Sequence, residues 1–241
     1  MPNDWAKNSR RWLRQQQRHF DKIDFGGLRR LEPISRKFGF DRGQPIDRFY
    51  IERFLAQQGN DIRGRVLELG DNEYTKRFGR NRVTQSDVLH ATSDNPKATI
   101  VADLTRADCI ADDCFDCVIL AQTLQFIFDT GAAMATLRRI VKASGVVLAT
   151  FPGISQISRY DMERWGDFWR FTSPSAARLF GDVFGAENVT VQAHGNVLTA
   201  VAFLHGIAAQ ELTDAELNHR DPDYELLITV RAVKPVGGNK S

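Results

Sequence analysis

The hydrophobic rhythm of the chain changes near residue 64. Before it, Trp5, Trp12, Leu13, Gln16, Phe20 and Ile23 recur near helical spacing with arginines and glutamines between them, which predicts an amphipathic N-terminal helix. Gly26-Gly27, Pro33 and Gly39 break that pattern. Gly43-Gln44-Pro45-Ile46-Asp47 reads as a turn into a helix carrying Phe49, Tyr50, Ile51, Phe54 and Leu55, which Gly59-Asn60 ends. After residue 64 the apolar residues come in short, nearly continuous runs. These predict strands at 65–69, 82–87, 99–102, 116–121, 145–150, 189–194 and 225–233, with helical stretches near 129–142, 173–184 and 197–211. Continuous apolar strands alternating with helices imply a parallel sheet covered on both faces.

The predicted strand ends carry a common chemistry. The first ends in Glu68-Leu69-Gly70, the second in Asp87, the third in Asp103-Leu104 and the fourth in Gln122-Thr123. Open α/β sheets bind ligands beyond the carboxyl ends of their strands. A glycine there lets the backbone approach a ligand, and an acid about 20 residues further on can accept hydrogen bonds from ribose hydroxyls.

Together, Val66-Leu-Glu-Leu-Gly70, Ser86-Asp87, Ala102-Asp103-Leu104, Phe115-Asp-Cys-Val-Ile-Leu-Ala-Gln122, Gly145-Val-Val-Leu-Ala149 and Asp167-Phe-Trp-Arg-Phe-Thr172 resemble the class I S-adenosylmethionine-dependent methyltransferases. The resemblance is to the type-11-like branch and covers about residues 45–234. It implies an α/β, Rossmann-like, seven-stranded methyltransferase sandwich with a final antiparallel hairpin, and S-adenosylmethionine as cofactor. Carried over by position, Gly70 meets the methionine part of the donor and Glu68 organises the glycine turn. Asp87 takes the ribose hydroxyls, Asp103 faces the adenine amino group with Leu104 beside the ring, and the main chain around Gln122 holds the amino acid end. One departure stands out. Gly70-Asp71-Asn72-Glu73-Tyr74 lacks the second and third glycines of the usual loop. Asn72 tolerates left-handed backbone angles, whereas Glu73 and Tyr74 add charge and bulk.

The acceptor side is expected in the segment after the fifth strand, where Tyr160, Trp165 and Trp169 lie among Arg159, Asp161, Glu163 and Arg164. Aromatic faces beside carboxylates suit a sugar or another polar ring. Asp161 is the first candidate for a general base, with His194 and His205 as alternatives. Trp169 and Phe171 read equally as core anchors. The segment 41–50, with Arg42, Asp47, Arg48 and Tyr50, reads as a lid or as a salt-bridged loop.

The expected function is therefore methyl transfer, chiefly O-methylation, to a small-molecule or sugar acceptor in glycan or specialised-metabolite biosynthesis. The altered glycine loop keeps a second reading open, a non-catalytic binding or scaffold protein on the same fold. A nicotinamide dehydrogenase fits worse, because Gly-x-Gly-x-x-Gly is missing. A nucleic-acid methyltransferase lacks base-reading features near the fourth strand, and no nucleic-acid partner is expected.

Charge alters the picture only at the start of the chain. Residues 1–42 hold eleven Lys/Arg against five acids, a surplus of six within a chain whose net charge is +2. Domains are accordingly expected at 1–44, a basic helical extension and a candidate homo-oligomer contact, at 45–236, the methyltransferase-like domain, and at 237–241, a flexible tail. Cys114-Phe-Asp-Cys117 has redox or metal spacing, but Cys117 opens the apolar run to Ala121 and no second ligand pair accompanies it, so a core role is expected and no metal. No signal-like apolar region follows the N-terminal charges, and no apolar run reaches the roughly 18 residues of a membrane span. A cytoplasmic protein is the expectation.

Overall fold

The computed structural model describes residues 26–237. The expected amphipathic helix before residue 26 and most of the tail lie outside the described residues. The chain divides into two compact units, Met1–Pro33 and Ile34–Ser241. In the first, a short 3-10 turn spans Gly26–Leu28. The second holds every other element. It includes the stretch from Ile34, because the Ile34 and Ser35 N–H groups both donate to the His205 carbonyl at 2.9 Å.

Its strands are β1 (Gly64–Leu69), β2 (Val83–His90), β3 (Ile100–Val101), β4 (Phe115–Ala121), β5 (Val141–Pro152), β6 (Val189–His194) and β7 (Leu227–Val233). They form one seven-stranded sheet in the order β3-β2-β1-β4-β5-β7-β6. The first five run parallel, and β7 runs antiparallel between β5 and β6. This is the predicted Rossmann-like α/β sandwich with its terminal hairpin.

The helices are α1 (Ile46–Gln57), α2 (Thr130–Ile140), α3 (Arg159–Met162), α4 (Ser173–Phe184), α5 (Val197–Leu204) and α6 (Asp214–Asn218). Strand alternation divides the core in two. Leu67, Val118, Leu120, Val147 and Ala149 meet Leu137 and Phe180 of α2 and α4 on one face. Val66, Cys117, Ile119 and Leu148 meet Tyr50, Phe203 and Leu217 of α1, α5 and α6 on the other. Helix starts follow local capping rules. Asp129 accepts from the Ala132 N–H, Asn196 caps α5, and Thr172 and Ser175 form a reciprocal box at α4 with Pro174 in its first turn.

Several boundaries depart from the sequence pattern; the predicted helix 197–211 ends at Leu204, for example, before the turn at Gly206 (φ +67). The predicted helix to 142 ends at Ile140, and β5 begins at Val141. The second strand runs three residues past Asp87, to His90. The reason lies in Val88 and Leu89, both buried, which continue the pairing with Glu68 and Leu69.

Candidate active site

The parallel strands end together, and backbone bonds fix that edge. The Gly70 N–H donates to the Leu89 carbonyl at 3.0 Å, Ala102 N–H to His90 at 3.0 Å, and Gln122 N–H to Thr150 at 3.2 Å. Gly70, His90, Asp103 and Gln122 are thereby brought to one rim. Asp87 is not. It pairs with Leu67 inside the sheet, buried, about 10 Å below the rim at 3.3 Å per residue. Its carboxylate takes Arg65 Nε at 2.7 Å, Gln85 Nε2 at 3.1 Å and Thr99 Oγ1 at 3.1 Å. The expectation that an acid closes β2 is corrected: His90 does.

Gly70 has φ +86, and the position a Cβ would take is open. This is the left-handed conformation that favours glycine. Below it, Glu68 is buried and accepts from the backbone N–H of Tyr74 at 3.2 Å and of Thr75 at 2.7 Å, and from Thr75 Oγ1 at 2.6 Å. Burial pushes its pKa up to about 7 despite those bonds, and Asp71 adds to the rise. The usual helix after the glycine turn is reduced to a π-helical turn, Thr75–Gly79. Tyr74 turns away to stack on Phe78 with centroids 6.1 Å apart. Asn72 donates to Ser86 Oγ at 3.2 Å. The loop after β2 folds back across the turn, with Asn95 Nδ2 on the Gly70 carbonyl at 2.6 Å and Lys97 paired to Glu73 at 3.2 Å.

Gln122 holds φ +51, uncommon for a residue with a Cβ. Its side-chain oxygen accepts from Gln125 Nε2 at 3.0 Å, and the buried Gln125 Oε1 has no partner among the described residues. Asp103 is exposed, accepts from the Thr105 N–H at 2.8 Å and caps a 3-10 turn in which Leu104 is buried.

Helix α1 brings cationic charge close to the rim. Asp47 is partly buried, and desolvation raises its pKa in spite of Arg48 at 3.8 Å. Desolvation alone would lower Arg48, but the charges of Asp47, Tyr74, Asp161 and Glu52 outweigh it, and its pKa is raised. Arg48 therefore lies near both the altered glycine loop and α3. Of the expected lid, Asp47 stays beside Arg48, while Arg42 and Tyr50 do not join them. Arg42 pairs with Glu211 on another part of the surface, Nε to Oε2 at 3.0 Å.

The segment after β5 crosses the rim. Trp165 sets its ring edge to face against His90, centroids 5.4 Å apart. Asp161 lies in α3, where Oδ2 accepts from Ser158 Oγ at 2.6 Å. Tyr160 is exposed beneath the Arg164 guanidinium, 3.5 Å from its ring centroid. Trp169 is not a core anchor, whereas Phe171 is buried. Trp169 is 38% exposed, stacks on Phe128 at 5.6 Å and donates its indole N–H to the Ile127 carbonyl at 3.1 Å. Phe168 packs edge-on against the same Phe128. The three form an exposed aromatic shelf, fixed by Phe168 and Trp169 N–H bonds to the Gln125 carbonyl.

Two expected site residues sit apart from this shelf. Tyr50 is 3% exposed and donates its hydroxyl to the Leu217 carbonyl at 2.8 Å, so no face is left for a substrate. His194 stacks on that ring at 5.5 Å and bonds Thr229 Oγ1 at 3.1 Å. Burial pulls its pKa down to about 4, helped by Arg220 and Arg53. It is neutral at neutral pH and a weak base. Cys117 is fully buried, and burial pushes its thiol pKa up.

Sequence reasoning missed His90 and Phe128, whereas Arg48 was named in the expected lid. The apolar Val88-Leu89 after Asp87 was the available signal for His90. For Phe128, a phenylalanine standing in a loop just beyond a strand end was the signal.

A methyltransferase-domain family model matches residues 61–149, which contain the glycine turn, His90, Asp103 and Gln122. These residues form a methyltransferase domain, and the match and the fold support a class I S-adenosylmethionine-dependent methyltransferase. Among solved structures, a SAM-dependent methyltransferase from Archaeoglobus fulgidus is similar at TM-score 0.52 and 11% identity, covering 77% of this chain and 94% of its own. The [4+2]-cyclase SpnF is similar at TM-score 0.52 and 16% identity, covering 81% and 85%. At such identities the likeness is one of fold. No curated protein matches the sequence. The methyltransferase domain implies S-adenosylmethionine as cofactor, and an open left-handed glycine with a cation near the glycine loop fits it. Among the described residues no helix is long and apolar enough to cross a membrane.

Proposed function

We propose that this methyltransferase methylates a hydroxyl of a small, ring-bearing polar acceptor, a sugar or a comparable metabolite in a biosynthetic route. The observation that carries the reading is the exposed shelf of Phe128, Phe168 and Trp169 beside the strand-end rim. Exposed aromatic clusters of this kind mark binding surfaces, and a flat indole–phenyl stack suits the face of a ring.

Bound at the rim, S-adenosylmethionine supplies an electrophilic methyl group. Gly70 gives the backbone close approach, and Arg48 attracts a carboxylate. His90 and Trp165 border the ribose side and Asp103 the adenine side, while Leu104, expected beside the ring, is buried in the core and leaves no face for it. Trp165 and the loop carrying Asn95 keep water from the rim. The aromatic shelf orients the acceptor, which supplies most of the rate when the chemistry is a single displacement. Asp161 is placed to receive the proton of the acceptor hydroxyl, because its Oδ1 accepts no bond from the described residues. Asp87 serves the sheet rather than the ribose.

The test incubates the full chain with S-adenosylmethionine and a panel of sugars, nucleotide sugars and phenolic glycosides, read by mass spectrometry. The expected product is a mono-O-methylated ring compound. Methylation of amines alone, or none across the panel despite tight S-adenosylhomocysteine binding, would overturn the acceptor assignment.

A further inference from the structure

The opposite end of the sheet carries a second constellation. Where β1 and β2 begin, the end of α1, the turn at Gly59-Asn60 and the segment Lys76-Arg-Phe-Gly-Arg-Asn-Arg82 enclose a cleft of about 450 Å³. It is lined by Arg77, Arg80 and Arg82 and by no acid. At about 3.3 Å per residue, the six residues of β1 hold it roughly 20 Å from Gly70.

The three arginines differ in what they do. Arg82 is structural: Nε donates to the Gly59 carbonyl at 3.0 Å and Nη2 to the Phe78 carbonyl at 2.5 Å, fixing the floor. Arg77 bonds Glu52 at 2.8 Å and lies over the Phe78 ring. Arg80 is exposed, and its guanidinium makes no hydrogen bond or ion pair with the described residues. Its backbone holds φ 53 and ψ −132, a conformation natural to glycine. A side chain there is strained. Packing does not explain that strain, since nothing holds the side chain. The Lys76 ammonium is also unpaired among the described residues.

We propose that this cleft binds a phosphorylated small molecule through its phosphate or diphosphate group. Arg80 supplies the forked donors that match phosphate oxygens, Arg77 and Lys76 supply field, and Arg82 keeps the pocket open. A volume of about 450 Å³ accommodates a ligand of metabolite size rather than a bare ion. The site is separate from the methyl-transfer rim and does not depend on the acceptor assigned there.

The experiment is calorimetric titration of the full chain with inorganic pyrophosphate at constant ionic strength, on wild type, Arg80→Gly and Arg178→Ala. Glycine removes the cation and suits the local φ, so the variant folds and should melt at or above the wild-type temperature. Arg80→Gly should weaken pyrophosphate binding tenfold or more, while Arg178→Ala and the S-adenosylhomocysteine affinity of every variant stay unchanged. Three results would overturn the proposal: no pyrophosphate binding by wild type, equal weakening by both variants, or a single-stranded oligonucleotide that displaces pyrophosphate and binds far more tightly.

Discussion

Arg65 on β1 and Asp87 on β2 are joined diagonally across the sheet, Nε to Oδ2 at 2.7 Å, below the edge that His90 closes. The same guanidinium also donates to Cys114 Sγ and lies 5.0 Å from the Phe115 ring centroid. The pair locks the middle of β2 to β1 and leaves its carboxylate no free direction towards the rim.

Asp87→Ala should therefore cost stability rather than donor affinity. Removing one partner of a half-buried charge pair strands Arg65 and costs about 1–3 kcal/mol. Urea unfolding should read that loss, while S-adenosylhomocysteine affinity changes by less than about twofold. His90→Ala should do the reverse, weakening the ligand about tenfold with little change in unfolding midpoint. A large affinity loss in Asp87→Ala with intact stability would return the ribose to the acid.

Trp165→Ala should weaken donor binding as well as turnover. The indole rests on His90, so its removal opens the rim to water and frees the imidazole. An effect of about 1 kcal/mol, several-fold in affinity, is expected from one lost aromatic contact. Donor calorimetry that leaves affinity untouched would place Trp165 with the acceptor alone.

Phe128→Ala and Trp169→Ala should raise the acceptor KM and leave donor affinity alone, because the shelf lies beyond the strand ends and Trp169 bonds only the Ile127 carbonyl by its side chain. Their removal exposes no core, so melting temperatures should hold. Steady-state kinetics with the acceptor varied at saturating donor separates the two constants.

Two desolvated groups set opposing pH dependences. Glu68, raised to about 7 from an unfolded value of 4.5, binds a proton more tightly when folded. Its contribution is full below about 4.5 and is lost as pH rises through 7. His194, lowered to about 4 from 6.5, binds protons more tightly when unfolded. Its contribution is full above about 6.5 and is lost as pH falls to 4. Glu68→Gln should remove the falling limb between pH 4.5 and 7, and His194→Gln the rising limb between pH 4 and 6.5. Denaturant titrations across that range check both; unchanged pH slopes in either variant would refute the corresponding assignment.

Tyr50→Phe should cost about 1 kcal/mol in unfolding free energy, because the Leu217 carbonyl loses a buried donor. Both kinetic constants should remain those of the wild type. A raised acceptor KM would bring Tyr50 back into the site.

The seven strands, their alternation with helices and the terminal hairpin were legible in the sequence, because a buried parallel strand must be continuously apolar and a turn must supply glycine or polar residues. Glu68-Leu69-Gly70 and Gln122 were found at the rim for the same reason: strand ends are marked locally. Tertiary structure decided which polar residues reach that rim. Asp87 and His90 lie three residues apart in one strand, and only pairing with Leu67, together with a cation from the neighbouring strand, settles that the acid stays inside and the imidazole closes the edge. Trp165 against His90, Phe128 under Trp169 and Tyr50 over His194 join residues far apart in the chain. Such contacts leave no periodic trace, because side-chain direction and burial are set by the elements packed above, not by the neighbours in sequence.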